Sequence, residues 1–329
     1  MGNQAETGRG RHLKRLVVAV PLTAAHQDRL AARFPDLRME MVAEPSDEDL
    51  RDADALVSWQ FDAAMLAAAP QLRWLQTGGA GVDNLPLREL AARGIVPTNM
   101  SGVHAINISE HVLAMMLAFA RQLPRLLRAQ TERQWRDDVT RDEVFELSGQ
   151  TVLLIGLGDI GIAVGERAAA FGMRVLGVRR RAELPAPPGI DEMVPSERLE
   201  EALGWADHVV VSVPLTEGTR GAIGAAQLAA MKPGAYLYNV GRGPVVDTAA
   251  LVEALASGRL GGAGLDVVDP EPLPPDSRLW GMENVVITAH TSGATPKYWD
   301  RAVEIIATNI ERYQAGESLV NEVDLEAGY

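Results

Sequence analysis

Three residues in the second half of the chain, Arg242, Glu271 and His290, are of the types that reduction of a 2-oxo acid requires. Delivering a hydride to C2 needs a cation to hold the carboxylate and polarise the carbonyl, a proton donor, and a group that keeps the donor protonated. Arg242 lies between two glycines in Asn239-Val240-Gly241-Arg242-Gly243, where a guanidinium can reach into a cleft and grip a carboxylate with two parallel hydrogen bonds. His290 follows an apolar run, and imidazole changes charge near neutral pH. Glu271 stands in the proline-stiffened loop Asp269-Pro270-Glu271-Pro272-Leu273-Pro274, and a carboxylate beside an imidazole favours the imidazolium. Each residue alone also fits a plainer role: a surface ion-pair partner, a loop acid, a strand-end histidine. His12, His26 and His208 keep that plainer role. For the other three, appearing together after a nucleotide-binding fingerprint favours catalysis.

The fingerprint is Thr151-Val152-Leu153-Leu154-Ile155-Gly156-Leu157-Gly158-Asp159-Ile160-Gly161, an apolar strand running into a glycine-rich turn and a helix. In this spacing Gly156 permits the tight turn, Gly158 lets the backbone approach a pyrophosphate, and Gly161 allows close packing of helix on strand. The helix that follows points its unpaired N–H groups and positive dipole end at the phosphate. A lone GxGxxG is weak, but here a strand precedes it, an Ala-rich helix stops at Gly172, and a second strand runs through Arg174-Val175-Leu176-Gly177-Val178. The residue after that second strand usually selects the cofactor, an acid for the ribose of NAD or a cation for the 2′-phosphate of NADP. Arg179-Arg180-Arg181 stands there, so NADP(H) is expected, with NAD(H) the alternative if the cluster is only a solvated basic turn.

The elements that must position these residues form an alternating pattern. From Leu16 to Val96 short apolar runs alternate with helical stretches, and after the fingerprint strands are predicted at His208–Val213, Ala235–Val240, Gly264–Val268 and Val285–Thr288. Strands alternating with helices predict parallel sheets covered on both faces. With the first two strands, the second half has the six expected of a doubly wound nucleotide sheet. The first half lacks a phosphate fingerprint and is expected to be the substrate domain. Within it, Thr77-Gly78-Gly79-Ala80-Gly81-Val82-Asp83 follows a predicted strand. Its small residues suit either bare N–H groups presented to a carboxylate or a simple tight turn. Trp59-Gln60-Phe61, at another strand end, is a candidate specificity surface, with His104 and Trp135 as further pocket candidates. The periodic segment from His104 to Arg136 predicts a helix interrupted at Pro124 that crosses between domains, and its charged end near Trp135 suits a partner subunit. Thr295-Pro296 predicts the start of a last helix reaching to about Ala315.

Composition narrows the function classes. The chain has 329 residues, enough for two domains, and a formal net charge of −13, which argues against a nucleic-acid groove. It has no cysteine, which removes disulfides, thiolate nucleophiles and Cys-based metal sites, and its six histidines show no metal-binding spacing. No metal is expected. No apolar run reaches the ~18 residues of a membrane span, and the first residues lack a secretory pattern, so a cytoplasmic enzyme with a flexible tail over 1–14 is expected.

The sequence resembles the D-isomer-specific 2-hydroxyacid dehydrogenase family over nearly its whole length after the tail. The resemblance is carried by Gly156-Leu157-Gly158-Asp159-Ile160-Gly161, by Asn239-Val240-Gly241-Arg242-Gly243-Pro244-Val245-Val246-Asp247, by Leu265-Asp266-Val267 leading to Glu271-Pro272-Leu273, and by the His290 turn. It implies two α/β domains with doubly wound parallel sheets, a Rossmann dinucleotide-binding domain over 101–291 and a discontinuous flavodoxin-like substrate domain over 15–100 and 292–329. It implies Arg242, Glu271 and His290 as the catalytic residues, and Gly79, Ala80 and Gly81 as the loop whose amides take the substrate carboxylate. Beside the cofactor it implies Pro214 and, near the nicotinamide amide, Asp266. The segment after Gly102 matches the interdomain helix and dimerisation arm, so a homodimer is expected.

Two departures from the family pattern stand out. Arg179 occupies the place of the acid of NAD-using members, as in the NADPH-preferring glyoxylate and hydroxypyruvate reductases, and Ala289 replaces a common proline. Glutamate at 271 argues against the similar formate dehydrogenases, and the short segment after the last helix against the longer phosphoglycerate dehydrogenases. The expected activity is NADPH-dependent reduction of a small 2-oxo acid to its D-2-hydroxy acid. The alternatives are an NAD-dependent member acting on another substrate, or a cofactor-sensing, corepressor-like binding protein.

Overall fold

The computed structural model describes residues 13–141, 143–179, 185–325 and 327–328. Packing divides the chain into two compact units, one running to Val103 and resuming at Thr295, the other His104–Ala294.

The first unit is built on a five-stranded sheet of β1 (Arg15–Ala19), β2 (Arg38–Met41), β3 (Ala55–Ser58), β4 (Trp74–Thr77) and β5 (Val96–Thr98), in the order β2-β1-β3-β4-β5 with every pairing parallel. This is the flavodoxin-like order. Residues of β3 and β4 are buried throughout, as a parallel sheet covered on both faces demands. Alternate residues serve alternate faces. Leu16, Val18, Ala55, Val57 and Trp74 join one core with Leu30, Ile306 and Ile310, whereas Val17, Leu56 and Leu75 join the other with Leu50, Leu66 and Leu90. Pro97 sits in the edge strand β5, where its missing N–H costs least.

The helix Tyr298–Ala315 completes the first of these cores with a stripe of Ala302, Val303, Ile306, Ala307, Ile310 and Tyr313. It starts later than Thr295-Pro296 suggested, because the Thr295 hydroxyl accepts from the N–H of Lys297, two residues on, and closes a local turn instead of capping a helix. Gly316, at φ 72°, ends it in the left-handed conformation. Buried Asn309 ties the helix to the sheet, its amide donating to Gln76 and to the carbonyl of Val320.

The second unit contains β6 (Thr151–Ile155), β7 (Arg174–Val178), β8 (Glu192–Val194), β9 (His208–Val211), β10 (Tyr236–Asn239), β11 (Gly262–Leu265) and β12 (Val285–Ile287). The order is β12-β11-β10-β9-β6-β7-β8, all parallel. The sheet therefore has seven strands rather than six. The additional one, β8, is a three-residue edge strand after the proline-rich loop, too short for periodicity to reveal. Strand order reverses between β6 and β9, and the carboxyl ends at such a reversal are where doubly wound sheets bind ligands.

The expected long helix is two, Ala105–Ala120 and Leu123–Thr131. The break falls at Gln122, in left-handed conformation at φ 57°, and Pro124 sits in the first turn of the second helix, where no N–H is needed. The first helix buries Val112 and Met116 on the same face of the sheet as Val152, Leu154 and Val210.

Candidate active site

Neighbouring strands bring Arg242, Glu271 and His290 to one end of the second unit. In register, Asn239 of β10 pairs with Leu265 of β11, and Leu265 with Ile287 of β12. Arg242 follows β10, Glu271 lies in the loop after β11, and His290 follows β12. The two glycines around Arg242 are dictated by close packing. A β-carbon on Gly241 would lie 2.7 Å from the Val213 carbonyl oxygen, and one on Gly243 would overlap that of Val268. The side-chain amide of Asn239 donates to the Arg242 carbonyl at 3.1 Å, and its oxygen accepts from the Gly241 N–H at 3.2 Å, fixing the loop from inside the sheet.

His290 and Glu271 form a direct pair, with His290 Nδ1 2.9 Å from Glu271 Oε2. The other carboxylate oxygen accepts from the Val268 N–H at 3.0 Å, so the acid is anchored by its own loop. With Nδ1–H donating to the carboxylate, Nε2 is the nitrogen left to exchange a proton with substrate. Both side chains remain solvent-accessible, His290 at 52% and Glu271 at 36%, as an acid–base pair open to a small molecule must be.

Asp266 holds the turn that carries His290. Its buried carboxylate accepts from the Thr288 hydroxyl at 2.7 Å, the Thr291 N–H at 2.9 Å, the Ser292 N–H at 3.1 Å and the Ser292 hydroxyl. The turn is braced further by His111 Nε2, 2.9 Å from the Thr288 hydroxyl, by the Asn107 amide on the Ser292 carbonyl at 2.7 Å, and by His104 Nδ1, 3.0 Å from the Gly293 carbonyl. His104, a pocket candidate from sequence, is thus engaged by the turn. His111, Thr288, Ser292 and Asn107 escaped sequence reasoning because side chains far apart in the chain meet only through the fold, as His111 and Thr288 do across 177 positions.

The glycine turn has the shape a dinucleotide needs. Gly156, at φ 101°, has the Ser212 carbonyl carbon within 3.1 Å of where a β-carbon would stand, and a β-carbon on Gly161 would overlap the Gly156 carbonyl oxygen. Gly158 differs, because a β-carbon there meets nothing within 4 Å. The first and third glycines are required by the protein itself, whereas the second keeps an approach clear. Gly158 also caps the helix Asp159–Ala170 with no side chain, leaving the N–H groups of the first turn, around Asp159, Ile160 and Gly161, aimed at whatever occupies that approach. These features fit a bound nicotinamide dinucleotide. Arg179 follows β7, half-buried, its guanidinium donating to the Pro185 carbonyl at 2.9 Å. Arg180 lies outside the described residues. Pro214 is exposed just beyond β9, with its carbonyl accepting from the Thr219 hydroxyl at 2.6 Å.

In the first unit the glycine loop after β4 is pinned on one side and open on the other. The Gly78 N–H donates to the Ser58 carbonyl at 2.7 Å, the Gly79 N–H to the Thr77 hydroxyl at 3.2 Å, and the Gly79 carbonyl accepts from the Met100 N–H at 3.0 Å. The N–H groups of half-buried Ala80 and Gly81 meet no acceptor among the described residues, which suits them to an anion. The Tyr298 hydroxyl donates to the Gly78 carbonyl, and burial pushes that phenol well above its ordinary range, so it remains a donor at neutral pH. Of the aromatic candidates nearby, Trp59 is exposed, but Phe61 is buried in the core with Leu56 and Leu66 and has no surface to offer a ligand.

Comparison with known proteins bears on these features. A family model described as D-isomer specific 2-hydroxyacid dehydrogenase, NAD binding domain, matches residues 113–292. A glyoxylate reductase of Korarchaeum cryptofilum is 38% identical over 288 residues, covering 85% of each chain. A solved D-isomer specific 2-hydroxyacid dehydrogenase of Xanthobacter autotrophicus Py2, in complex with NADPH and MES, is 33% identical with a TM-score of 0.82, covering 97% of this chain and 100% of that one. An NADPH-dependent glyoxylate/hydroxypyruvate reductase of Sinorhizobium meliloti, in complex with NADP and sulfate, is 30% identical with a TM-score of 0.80, covering 96% of this chain and 100% of that one.

Proposed function

The chain belongs to the D-isomer specific 2-hydroxyacid dehydrogenase family, and from that premise we propose that it is an NADPH-dependent reductase converting small 2-oxo acids to D-2-hydroxy acids. The observation that carries the reading is the 2.9 Å pair of His290 and Glu271 beside the Gly241-Arg242-Gly243 loop. The chemistry contributed by a bound reduced nicotinamide is a hydride to C2 of the substrate. Arg242 grips the substrate carboxylate and polarises the carbonyl. His290, protonated and oriented by Glu271, gives a proton from Nε2 to the carbonyl oxygen as C2 becomes tetrahedral. The Ala80 and Gly81 amides of the first unit are assigned to binding a carboxylate. In the reverse direction neutral His290 takes the hydroxyl proton, so reduction runs best at lower pH than oxidation.

Arg179 supports the choice of NADP(H), since a guanidinium after β7 suits a 2′-phosphate, and similar proteins are solved with NADPH or NADP bound. Asp159, Ile160 and the fingerprint glycines are assigned to the pyrophosphate, Pro214 and Asp266 to the neighbourhood of the cofactor. A homodimer is part of the reading: Leu127 on the helix Leu123–Thr131 of the second unit, at 59% exposure, and Trp135 beyond it, at 93%, leave apolar surface for a second copy to cover. Light scattering giving a monomer near 35.4 kDa would overturn it. Initial rates with NADPH and NADH across a panel of 2-oxo acids test the activity, which fails if no acid is reduced with either nucleotide.

A further inference from the structure

His111 lies on the helix Ala105–Ala120 with its side chain 24% exposed, and its Nε2 is 2.9 Å from the Thr288 hydroxyl. That hydroxyl has a single proton. The proton goes to Asp266 Oδ1, 2.7 Å away, because a carboxylate only accepts. The Thr288 oxygen is then left as an acceptor, so His111 Nε2 carries hydrogen and donates to it. His111 Nδ1 meets no hydrogen-bond partner among the described residues, so nothing on the other side of the ring opposes this tautomer. The donors therefore run one way, from His111 through Thr288 to Asp266. At the far end the Asp266 carboxylate takes the Thr291 and Ser292 N–H groups, and its carbonyl takes the N–H of His290. His104, Asn107 and His111 stand at i, i+3 and i+7 on one face of the helix, while Ile108, Val112 and Met116 serve the core. Of the three, His104 and Asn107 reach carbonyls of the turn, whereas His111 reaches the side chain that addresses the carboxylate.

From this chain of donors we infer that His111 is a positioning residue for the proton donor His290: the hydrogen on its Nε2 commits the Thr288 proton to Asp266, and Asp266 orients the turn. The inference rests on the reductase reading above. Ala289 and His290 lie at φ 47° and 56°, a region that residues with side chains seldom adopt, so their geometry has to be held from outside. An acceptor at position 111 would draw the Thr288 proton to itself. Asp266 Oδ1 would then face lone pairs instead of a donor, and the turn would lose one of its ties. A loosened turn misplaces His290 Nε2 relative to the substrate carbonyl, which slows proton transfer while leaving Arg242 to hold the acid. The effect belongs to kcat rather than to KM.

The test sets donor against acceptor at one position. His111→Gln and His111→Glu have side chains of the same length and shape, but at pH 8 only Gln can donate to Thr288. With NADPH and a 2-oxo acid that the native protein reduces, His111→Gln should retain most of kcat. His111→Leu and His111→Glu should lose about 10- to 100-fold, with KM for the acid within about 3-fold of native. Thr288→Val breaks the chain at its second link without altering the helix, and should lower kcat as far. Adding His111→Leu to Thr288→Val should cost nothing more, because the two act as one unit. Equal kcat in the Gln and Glu variants, or losses that multiply in the double variant, overturns the inference and leaves the reductase reading intact. A second readout needs no turnover: the imidazole Hε1 resonance of His290, identified by its loss in His290→Ala, should stay in place in His111→Gln and move in His111→Leu. If the native protein reduces no acid, the reductase reading falls and the resonance alone decides; an unmoved resonance in His111→Leu overturns the positioning role.

Discussion

The main-chain N–H of His290 donates to the carbonyl oxygen of Asp266 at 2.6 Å, so the two residues are joined through backbone as well as through the carboxylate that gathers Thr288, Thr291 and Ser292. The join has work to do. Ala289 and His290 both lie in the left-handed region, at φ 47° and 56°, a conformation that costs a side-chain-bearing residue on the order of 1 kcal/mol each. One buried carboxylate holds that conformation in place.

Removing the carboxylate should therefore disturb both fold and chemistry. Asp266→Ala leaves the Thr291 and Ser292 N–H groups without their acceptor, and the expected loss is about 2–4 kcal/mol of stability together with most of the turnover. Asp266→Asn, with one acceptor oxygen left, should fall between the two. Thermal melts and kcat measured side by side check this, and an Asp266→Ala variant with native Tm and native kcat would contradict it.

The His290–Glu271 pair predicts a graded series. His290→Ala should lower kcat about 10²- to 10⁴-fold, the usual worth of a positioned general acid. Glu271→Gln keeps an oxygen for the Val268 N–H but removes the charge opposite His290. Without that charge the Nδ1–H loses its anionic partner and the ring its fixed orientation, so kcat should fall about 10-fold, less than in His290→Ala. A native kcat in Glu271→Gln would show that the carboxylate does not serve the proton donor.

The cofactor assignment is exposed to a direct reversal. Arg179→Asp should lower kcat/KM for NADPH relative to NADH about 10- to 100-fold, because a carboxylate repels a 2′-phosphate and accepts from a 2′-hydroxyl. A native protein that already prefers NADH would make the basic cluster a solvated turn.

Acid should weaken the second unit through His208. This histidine is fully buried at the start of β9, its Nε2–H donating to Gln150 at 2.6 Å while Nδ1 accepts from the Tyr238 hydroxyl at 3.0 Å, and burial lowers its pKa from 6.5 to about 4. The unfolded chain then binds the extra proton first, so the stability from the neutral imidazole is intact above pH 6.5 and is lost as pH falls toward 4, about 2 kcal/mol of it by pH 5. Urea melts of native protein and His208→Gln at pH 7.5 and 5 should show the native loss exceeding that of the variant. Equal losses would assign acid sensitivity elsewhere.

How far the sequence revealed these features depended on how local their causes are. The strand before Gly156 and the three glycines could be read directly, because a tight turn, an open approach and a close helix each leave a mark at a fixed spacing, and Gly158 alone has empty space where the others have backbone. The bracketing of Arg242 by glycines was visible, but its reason was not: the crowding comes from Val213 and Val268, in the segments after β9 and β11, which flank β10 only in the folded sheet. Asp266 stood out within a family motif, whereas its grip on the His290 turn, with His111 and Thr288 behind it, depends on contacts that no spacing encodes. Phe61 misled because an aromatic residue at a strand end serves a core as readily as a pocket. The edge strand β8 is only three residues long, and its pairing with β7 is decided by the sheet rather than by its own sequence.

The discontinuity of the first unit also fixes an order of events during translation. Leu16, Val18 and Trp74 are made early, yet the apolar stripe of Tyr298–Ala315 that covers them leaves the ribosome only after the whole of His104–Ala294. The unit that begins second is complete first and can fold while its predecessor, with all its strands made, waits with one face of its sheet bare. Until the last helix arrives, that apolar face is open to chaperones and to aggregation. A ribosome stalled before residue 298 should accordingly carry a protease-resistant second unit joined to a protease-sensitive first one.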